Sequence, residues 1–237
     1  MKKVFIGVGV AALCLSSALV IVACNKDKDT NVYVTTEAEL VSAVTEAKAN
    51  DVIVLNANIV LTDQLDVSKK ITLDMNGKTI SNTQAIWNEA EGVKDWSLIS
   101  VVENGELTIK GNGKFSALEN DCFALDIRGG KCVIENSTFI GNISAVYVYA
   151  GNLQVKGGEF SIQQLVTDGG DAYRETLNRY DAHAADGTAT ITVSGGKFYQ
   201  FNPANTGADG ANTNYLADGF VSTADGDYFV VSASQAE

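Results

Sequence analysis

Five short stretches of the chain share one pattern of apolar and polar positions. Apolar residues alternate in Leu73-x-Met75, Leu107-x-Ile109, Cys132-x-Ile134, Leu153-x-Val155 and Ile191-x-Val193, the period of a strand with one buried face. Two residues beyond each pair stands Gly77, Gly111, Asn136, Gly157 or Gly195. Glycine and asparagine take positive φ more readily than other residues, so this column predicts one left-handed corner repeated five times. Past the corner come Ile80, Phe115, Phe139, Phe160 and Phe198, each opening a second strand with an inward side chain. The extra residue in "GNG", before Phe115, is expected to form a bulge.

The phenylalanines set the repeat length, with 24 residues from Phe115 to Phe139 and 21 from Phe139 to Phe160. The 38-residue interval to Phe198 implies one repeat with a long insertion. A third strand belongs to each repeat. "FALDIRGG" (123–130) and "AVYVYAGN" (145–152) precede the first strands, with Leu125, Ile127, Val146 and Val148 inward, and "SLISVVENG" (97–105) does the same one repeat earlier. Coils of about twenty residues with three short strands are the unit of a parallel β-helix, in which like residues stack in columns. The rival all-β arrangement is a sandwich, which needs hairpins. "NG" occurs at 76–77 and 104–105, but two-residue turns between alternating runs are not the rule.

The ends have other periods. In "TTEAELVSAVTEAKANDVIVL", Thr36 and Glu39 stand at capping-box spacing and Leu40, Val41, Val44 and Ala47 share one face. This predicts an amphipathic helix running into a strand, placed to cover the open apolar end of the stack. The C-terminal 201–237 is rich in Asn, Asp and Gly and contains the single proline, Pro203. It reads as an irregular cap ending in a small strand pair, "GFVS" and "DYFVV", across a DG turn. The first 23 residues begin with two lysines and continue as an apolar run, the form of a secretion signal rather than a spanning helix; an uncleaved anchor is the alternative. The mature chain then begins at Cys24, with 24–34 as a charged tether and 35–237 as one domain: cap helix and first strand to 55, coils over 56–200, and the C-terminal cap.

Composition narrows the partners. A net charge of −12, more acidic still once Lys2 and Lys3 leave, repels phosphate backbones and excludes nucleic acid as a partner. Cys122 and Cys132 read as small buried apolar residues.

Two resemblances add to this. "Ile21-Val22-Ala23-Cys24" resembles the lipobox of bacterial lipoproteins, which implies lipidation of Cys24 and attachment to a membrane; the acidic residues behind it look like surface-export signals of Gram-negative gut anaerobes. "EAELVSAVTEAKANDVIVL", "KKITLDMNGKTI" and the glycine-corner coils look like the pectate-lyase-like right-handed β-helix superfamily, and residues 176–231 resemble a terminal module of surface lipoproteins and related phage tail proteins. The resemblance implies an all-β, single-stranded right-handed parallel β-helix on the outer membrane, with a capping helix and an irregular C-terminal cap. Fold likeness does not carry an activity with it.

The chemistry is sparse. Lyases of the resembled superfamily hold calcium on grouped acids beside an Arg or Lys base. The outward column Asp74, Lys110, Glu135, Lys156, Ser194 instead predicts an alternating charge ladder, one coil being about 4.8 Å from the next. A second outward column holds Asp126 and Arg128 one coil from Tyr147 and Tyr149. Exposed tyrosines on a rigid sheet stack on sugar rings and donate hydrogen bonds. Two insertions flank that strand: 83–96, with Trp87 and Trp96, and 163–188, with Tyr173, Tyr180 and the lone His183, which reads as a solvated loop residue. No metal-ligand spacing, cofactor fingerprint or catalytic motif occurs, so no catalytic residue, metal or cofactor is assigned. The sequence therefore points to non-enzymatic recognition or adhesion, of glycans or another surface polymer. The alternatives are a carbohydrate-active lyase or hydrolase using acids such as Asp168, Asp171, Glu175, Asp181 and Asp186, and a structural surface protein without a small ligand.

Overall fold

A computed structural model describes residues 31–168, 171–208, 210 and 212–235. Residues 1–30, with the expected signal and Cys24, lie outside the described residues. Strand β1 (Asn31–Val34) comes first, so the tether expected to reach residue 34 stops short of it. Val34 alternates inward and is 1% exposed. Helix α1 (Glu37–Glu46) follows, its N-cap Thr36 accepting from Glu39 N at 3.2 Å. The return bond of the capping box goes one residue further back, with Glu39 Oε2 accepting from Thr35 N at 2.7 Å. Leu40, Val44 and Ala47 bury as expected, but Val41 lies at the edge of the stripe and is 43% exposed.

The chain then passes repeatedly through three strand columns. The first pass is β2 (Asp51–Leu55) and β3 (Ile59–Leu61); the second is β4 (Leu65–Val67), β5 (Lys70–Asp74) and β6 (Thr79–Asn82). The third is β7 (Ser97–Val102), β8 (Glu106–Lys110) and β9 (Lys114–Ser116). In the next two passes one long strand turns the first corner unbroken: β10 (Phe123–Ile134) before β11 (Thr138–Gly141), and β12 (Val146–Val155) before β13 (Glu159–Ile162). Then a hairpin of β14 (Val166–Asp168) and β15 (Asp171–Tyr173) intervenes. The last pass is β16 (Leu177–Arg179), helix α2 (Asp181–Ala185), β17 (Ala189–Val193) and β18 (Gly196–Tyr199), closed by β19 (Phe220–Asp225) and β20 (Tyr228–Ala233).

The fold is mostly β, and each column is parallel from β1 through β18. The aromatic column forms as its spacing requires. Ile80, Phe115, Phe139, Phe160 and Phe198 pair in register, and the four phenyl rings stack with centroids 4.7, 5.1 and 5.0 Å apart. Leu107, Cys132, Leu153 and Ile191 likewise align, as do Ile109, Ile134, Val155 and Val193. The first member differs from expectation. Ile71 and Leu73, not Leu73 and Met75, pair with Leu107 and Ile109, so β5 is shifted by two residues relative to the sequence alignment. All three side chains face inward and are buried, so alternation alone fits either register.

The corners also differ in detail. Positive φ falls on the second residue of the later corners, at Ser137, Gly158 and Gly196. The first glycine serves close approach instead: a Cβ at Gly195 would stand 2.1 Å from Lys156 O. The other corner is built from Gly105, Gly130 and Gly151, where a Cβ would meet the carbonyl of Val67, Gly105 and Gly130 in turn. The outward ladder through Lys110, Glu135 and Lys156 forms only its first rung, Lys110 to Asp74 at 3.5 Å. The ladder that does form is Lys70–Glu106–Lys131, at 3.2 and 3.7 Å.

The long insertion proves to be two. β16 pairs with β12, Val146 opposite Leu177, so the coil keeps its three strands, with one excursion before β16 and another after it. The expected C-terminal strand pair is β19–β20, joined at Gly226–Asp227, and β20 lies antiparallel on β18. Cys122 and Cys132 are buried free thiols, and burial drives both pKa values upward.

Candidate functional site

Tyr147 and Tyr149 alternate with the fully buried Val146 and Val148 on β12, which sends both rings outward. The 83–96 segment arches over them between β6 and β7. Each end of this strap is pinned by a side chain from another coil. Asp121, 6% exposed, accepts from Asn82 Nδ2 at 2.6 Å, from Ile86 N at 3.0 Å and from Trp87 N at 3.1 Å. At the other end Gln64 Oε1 accepts from Trp96 N at 2.9 Å and Ser97 N at 3.1 Å. The strap therefore delivers both tryptophans to one place, their centroids 6.4 Å apart.

The rings form a continuous shelf. Trp96 lies 6.2 Å from Tyr147 and 5.7 Å from Tyr149, and Phe123 lies 5.4 Å from Trp87 and 5.1 Å from Tyr147. The second excursion adds Tyr180, stacked on Tyr149 at 5.0 Å, and His183, 4.7 Å from Tyr149. His183 is half-buried and its Nδ1 meets the Tyr149 carbonyl, so it is a packed residue and not the solvated one its sequence setting implied. The Lys94 ammonium caps the Tyr149 face at 4.4 Å. Trp87 at 36% and Tyr180 at 40% are the exposed ends of the shelf.

Tyr173 comes from the hairpin strand β15. It lines a hollow of about 660 Å³ with Tyr147, Tyr180, Glu175, Arg179 and Asp181. A smaller hollow of about 240 Å³ opens between Trp87, Trp96, Phe123 and Tyr147. Tyr147 and Asn178 border both, so the two are neighbouring compartments on either side of one ridge. Glu175 accepts from Asn178 Nδ2 at 2.7 Å. Arg179 donates to Ala189 O at 3.0 Å and lies 5.4 Å from the Tyr215 ring. Burial pushes the Tyr147 phenol well above its ordinary pKa, with Asp181 the foremost of the charges acting in the same direction.

Asp126 is the main correction among the expected contact residues. It leaves the outer face, opposite Tyr147, but is 0% exposed. Its Oδ1 accepts from Ser97 Oγ at 2.8 Å, and its Oδ2 makes an ionic contact with Arg128 Nε at 3.3 Å. Desolvation raises its pKa from 3.8 to about 6. Arg128 continues the network to Ser100 Oγ at 2.8 Å and Asp66 Oδ1 at 3.2 Å, with its guanidinium 5.9 Å from the Trp96 ring. The pair supports the shelf from beneath; no ligand reaches Asp126. Among the described residues no group of three or more His, Cys, Asp or Glu is placed to hold a metal ion, and no helix is long and apolar enough to cross a membrane.

Comparison with protein-family models, curated proteins and solved structures finds no match to this chain.

Proposed function

We propose that the chain is a surface-displayed binding protein, tethered to the outer membrane by lipid on Cys24, whose strand columns form a right-handed parallel β-helix of the pectate-lyase-like kind. On this reading it recognises glycans non-enzymatically. The repeated passage through three parallel columns, with in-register phenylalanines, supports the β-helix. The IVAC run at residues 21–24 supports the lipid anchor. The single observation that carries the glycan reading is the aromatic shelf: Trp87, Trp96, Tyr147, Tyr149 and Tyr180, gathered from one strand and two insertions, with its two ends open to solvent. Flat rings with hydroxyl and indole edges suit sugar faces, and a rigid sheet holds them at little entropic cost.

A carbohydrate-active enzyme is the second reading, favoured by Glu175 and Asp181 lining one hollow with Tyr147. Glycosidases need two carboxylates at a defined separation across the scissile bond. Glu175 is engaged by Asn178, which suits a positioning carboxylate better than a general acid.

A glycan array probed with the full chain tests the proposal, with Trp87→Ala and Tyr180→Ala in parallel. Both residues are exposed, so these variants leave the core intact. Binding by the wild type, weakened at least about tenfold in each variant, is the expected result. A wild-type chain that binds no glycan removes the reading and leaves a structural surface protein.

A further inference from the structure

We propose that the aromatic shelf is a pH-gated site: while Asp126 is ionised, the network beneath Trp96 holds that ring in place, and when Asp126 takes a proton the ring is released and the shelf lets go of its ligand. The gate regulates the site described above and rests on the glycan reading only for what the shelf holds.

Two routes join Asp126 to the end of the strap. The direct one is Ser97, the residue after Trp96, whose Oγ donates to Asp126 Oδ1 at 2.8 Å. The other runs through Arg128, which meets Asp126 Oδ2 at 3.3 Å and Asp66 Oδ1 at 3.2 Å. Gln64 Nε2 donates to the same Asp66 oxygen at 2.9 Å, and Gln64 Oε1 accepts from Trp96 N at 2.9 Å. The Arg128 guanidinium also lies 5.9 Å from the Trp96 ring. Asp126 is 0% exposed whereas the Asp66 side chain is 55% exposed, so Asp126 is the buried counter-charge that draws Arg128 in beneath the ring. A proton on Asp126 removes that charge. Arg128 is then drawn outward to Asp66 and solvent, and Ser97 keeps a neutral acceptor, weaker than a carboxylate. Desolvation places the uptake of this proton at about pH 6, against the opposing effect of Arg128 and the Ser97 and Ser100 hydroxyls. Cys122, ahead of β10, and Tyr147, opposite on β12, have pKa values driven upward by burial, so both are neutral throughout this range. On the strap, desolvation raises the pKa of Asp95, which Arg128 opposes, and Lys94 stands 5.6 and 4.4 Å from the Trp96 and Tyr149 rings. His183 packs on Tyr149 from α2. Asp95 and His183 are therefore the groups to separate from Asp126.

The chain has two tryptophans, so Trp87→Phe leaves Trp96 as the sole indole reporter. Acrylamide quenching of its fluorescence should rise as pH falls, with a midpoint at about 6. In that background Asp126→Asn, the neutral isostere, should hold Trp96 accessible at every pH, while Asp95→Asn and His183→Gln should keep the transition. Gln64→Ala, which cuts the route through Asp66, should leave Trp96 accessible in neutral solution as well as in acid. Quenching that is flat with pH in the parent, or a transition that survives Asp126→Asn, overturns the gate. So does a Gln64→Ala chain whose Trp96 is as protected in neutral solution as its parent's. A glycan that binds on the array should bind the full chain about tenfold more weakly at about pH 5 than at about pH 7.5, because about one molecule in ten is ionised at Asp126 at the lower pH. Equal affinity at the two pH values overturns the gate and keeps the glycan reading. A quenching transition beside a blank array keeps the gate on Trp96 and removes the glycan reading.

Discussion

Asp126 is a carboxylate on an outward strand position that the rest of the molecule has covered. Its pKa, raised by desolvation from 3.8 to about 6, means that the folded state holds a proton which the unfolded state releases earlier. The sign follows: the folded state is favoured at low pH, and this contribution is lost as pH rises from about 4 to about 6, then stays constant above. The difference between the two values corresponds to about 3 kcal/mol. In Asp126→Asn the titration is absent, while Arg128 keeps Asp66 and Ser100 as partners. Denaturant unfolding of both proteins at pH 4 and pH 7 should show wild type losing up to about 3 kcal/mol relative to the variant across that interval. Parallel pH profiles would show that Asp126 does not titrate in this range. Alternation along β10 read the direction of this side chain correctly, since Leu125 and Ile127 are inward. What it missed was the cover: the strap bearing Trp96 is pinned by Asp121 and Gln64, residues of other coils that carry no local signal of that task.

Among the strand elements, legibility tracks how many side chains carry the pattern. The phenylalanine column was readable because one large residue type recurs at nearly constant spacing and has one place to go, against its own copy in the next coil. β16 was not readable, since Leu177 is its one buried residue and three positions give no period. The register of β5 was ambiguous because Ile71, Leu73 and Met75 all face inward, and the partner strand decides which pair is opposite Leu107 and Ile109. Gly77 and Gly111 carry the expected positive φ, 72° and 83°, but at the three later corners it falls one residue further on, and where two glycines are adjacent they meet two different demands. Gly157 avoids Glu135 O, 2.4 Å from where a Cβ would stand, while Gly158 supplies φ of 106° and also faces Ser137 O at 2.6 Å. Gly158→Ala should therefore cost about 2 kcal/mol or more in chemical unfolding, combining backbone strain with a backbone clash. A cost below about 0.5 kcal/mol would mean that the corner relaxes freely.

For the molecule as a whole, parallel columns leave unpaired strand edges at both ends, and such edges template pairing with another chain. At one end β1 and α1 lie over the first coil, with Val34, Leu40 and Val44 entering the core. At the other, β20 reverses direction and pairs with β18 antiparallel, laying Phe229 opposite Phe198 and burying Val231 to 4% exposure. The reversal matters, because a further parallel strand would only move the open edge one pass along, whereas a hairpin ends the series with a twisted ribbon whose β19 is mostly exposed. Deleting residues from 219 onward removes the hairpin and bares β18 while leaving the aromatic shelf, the six passes through the strand columns and the charge ladder of Lys70, Glu106 and Lys131 in place. That variant should retain its β signature by circular dichroism yet elute in size exclusion as large, concentration-dependent species. The full chain, with its edge covered and a net charge of −12 opposing self-association, should elute earlier-forming aggregates only at its isoelectric region near pH 4.5. A truncated chain that elutes as a discrete species of the size expected for its length would show that the phenylalanine stack and the charged outer faces are enough to keep neighbouring molecules apart, and that the hairpin's task lies elsewhere.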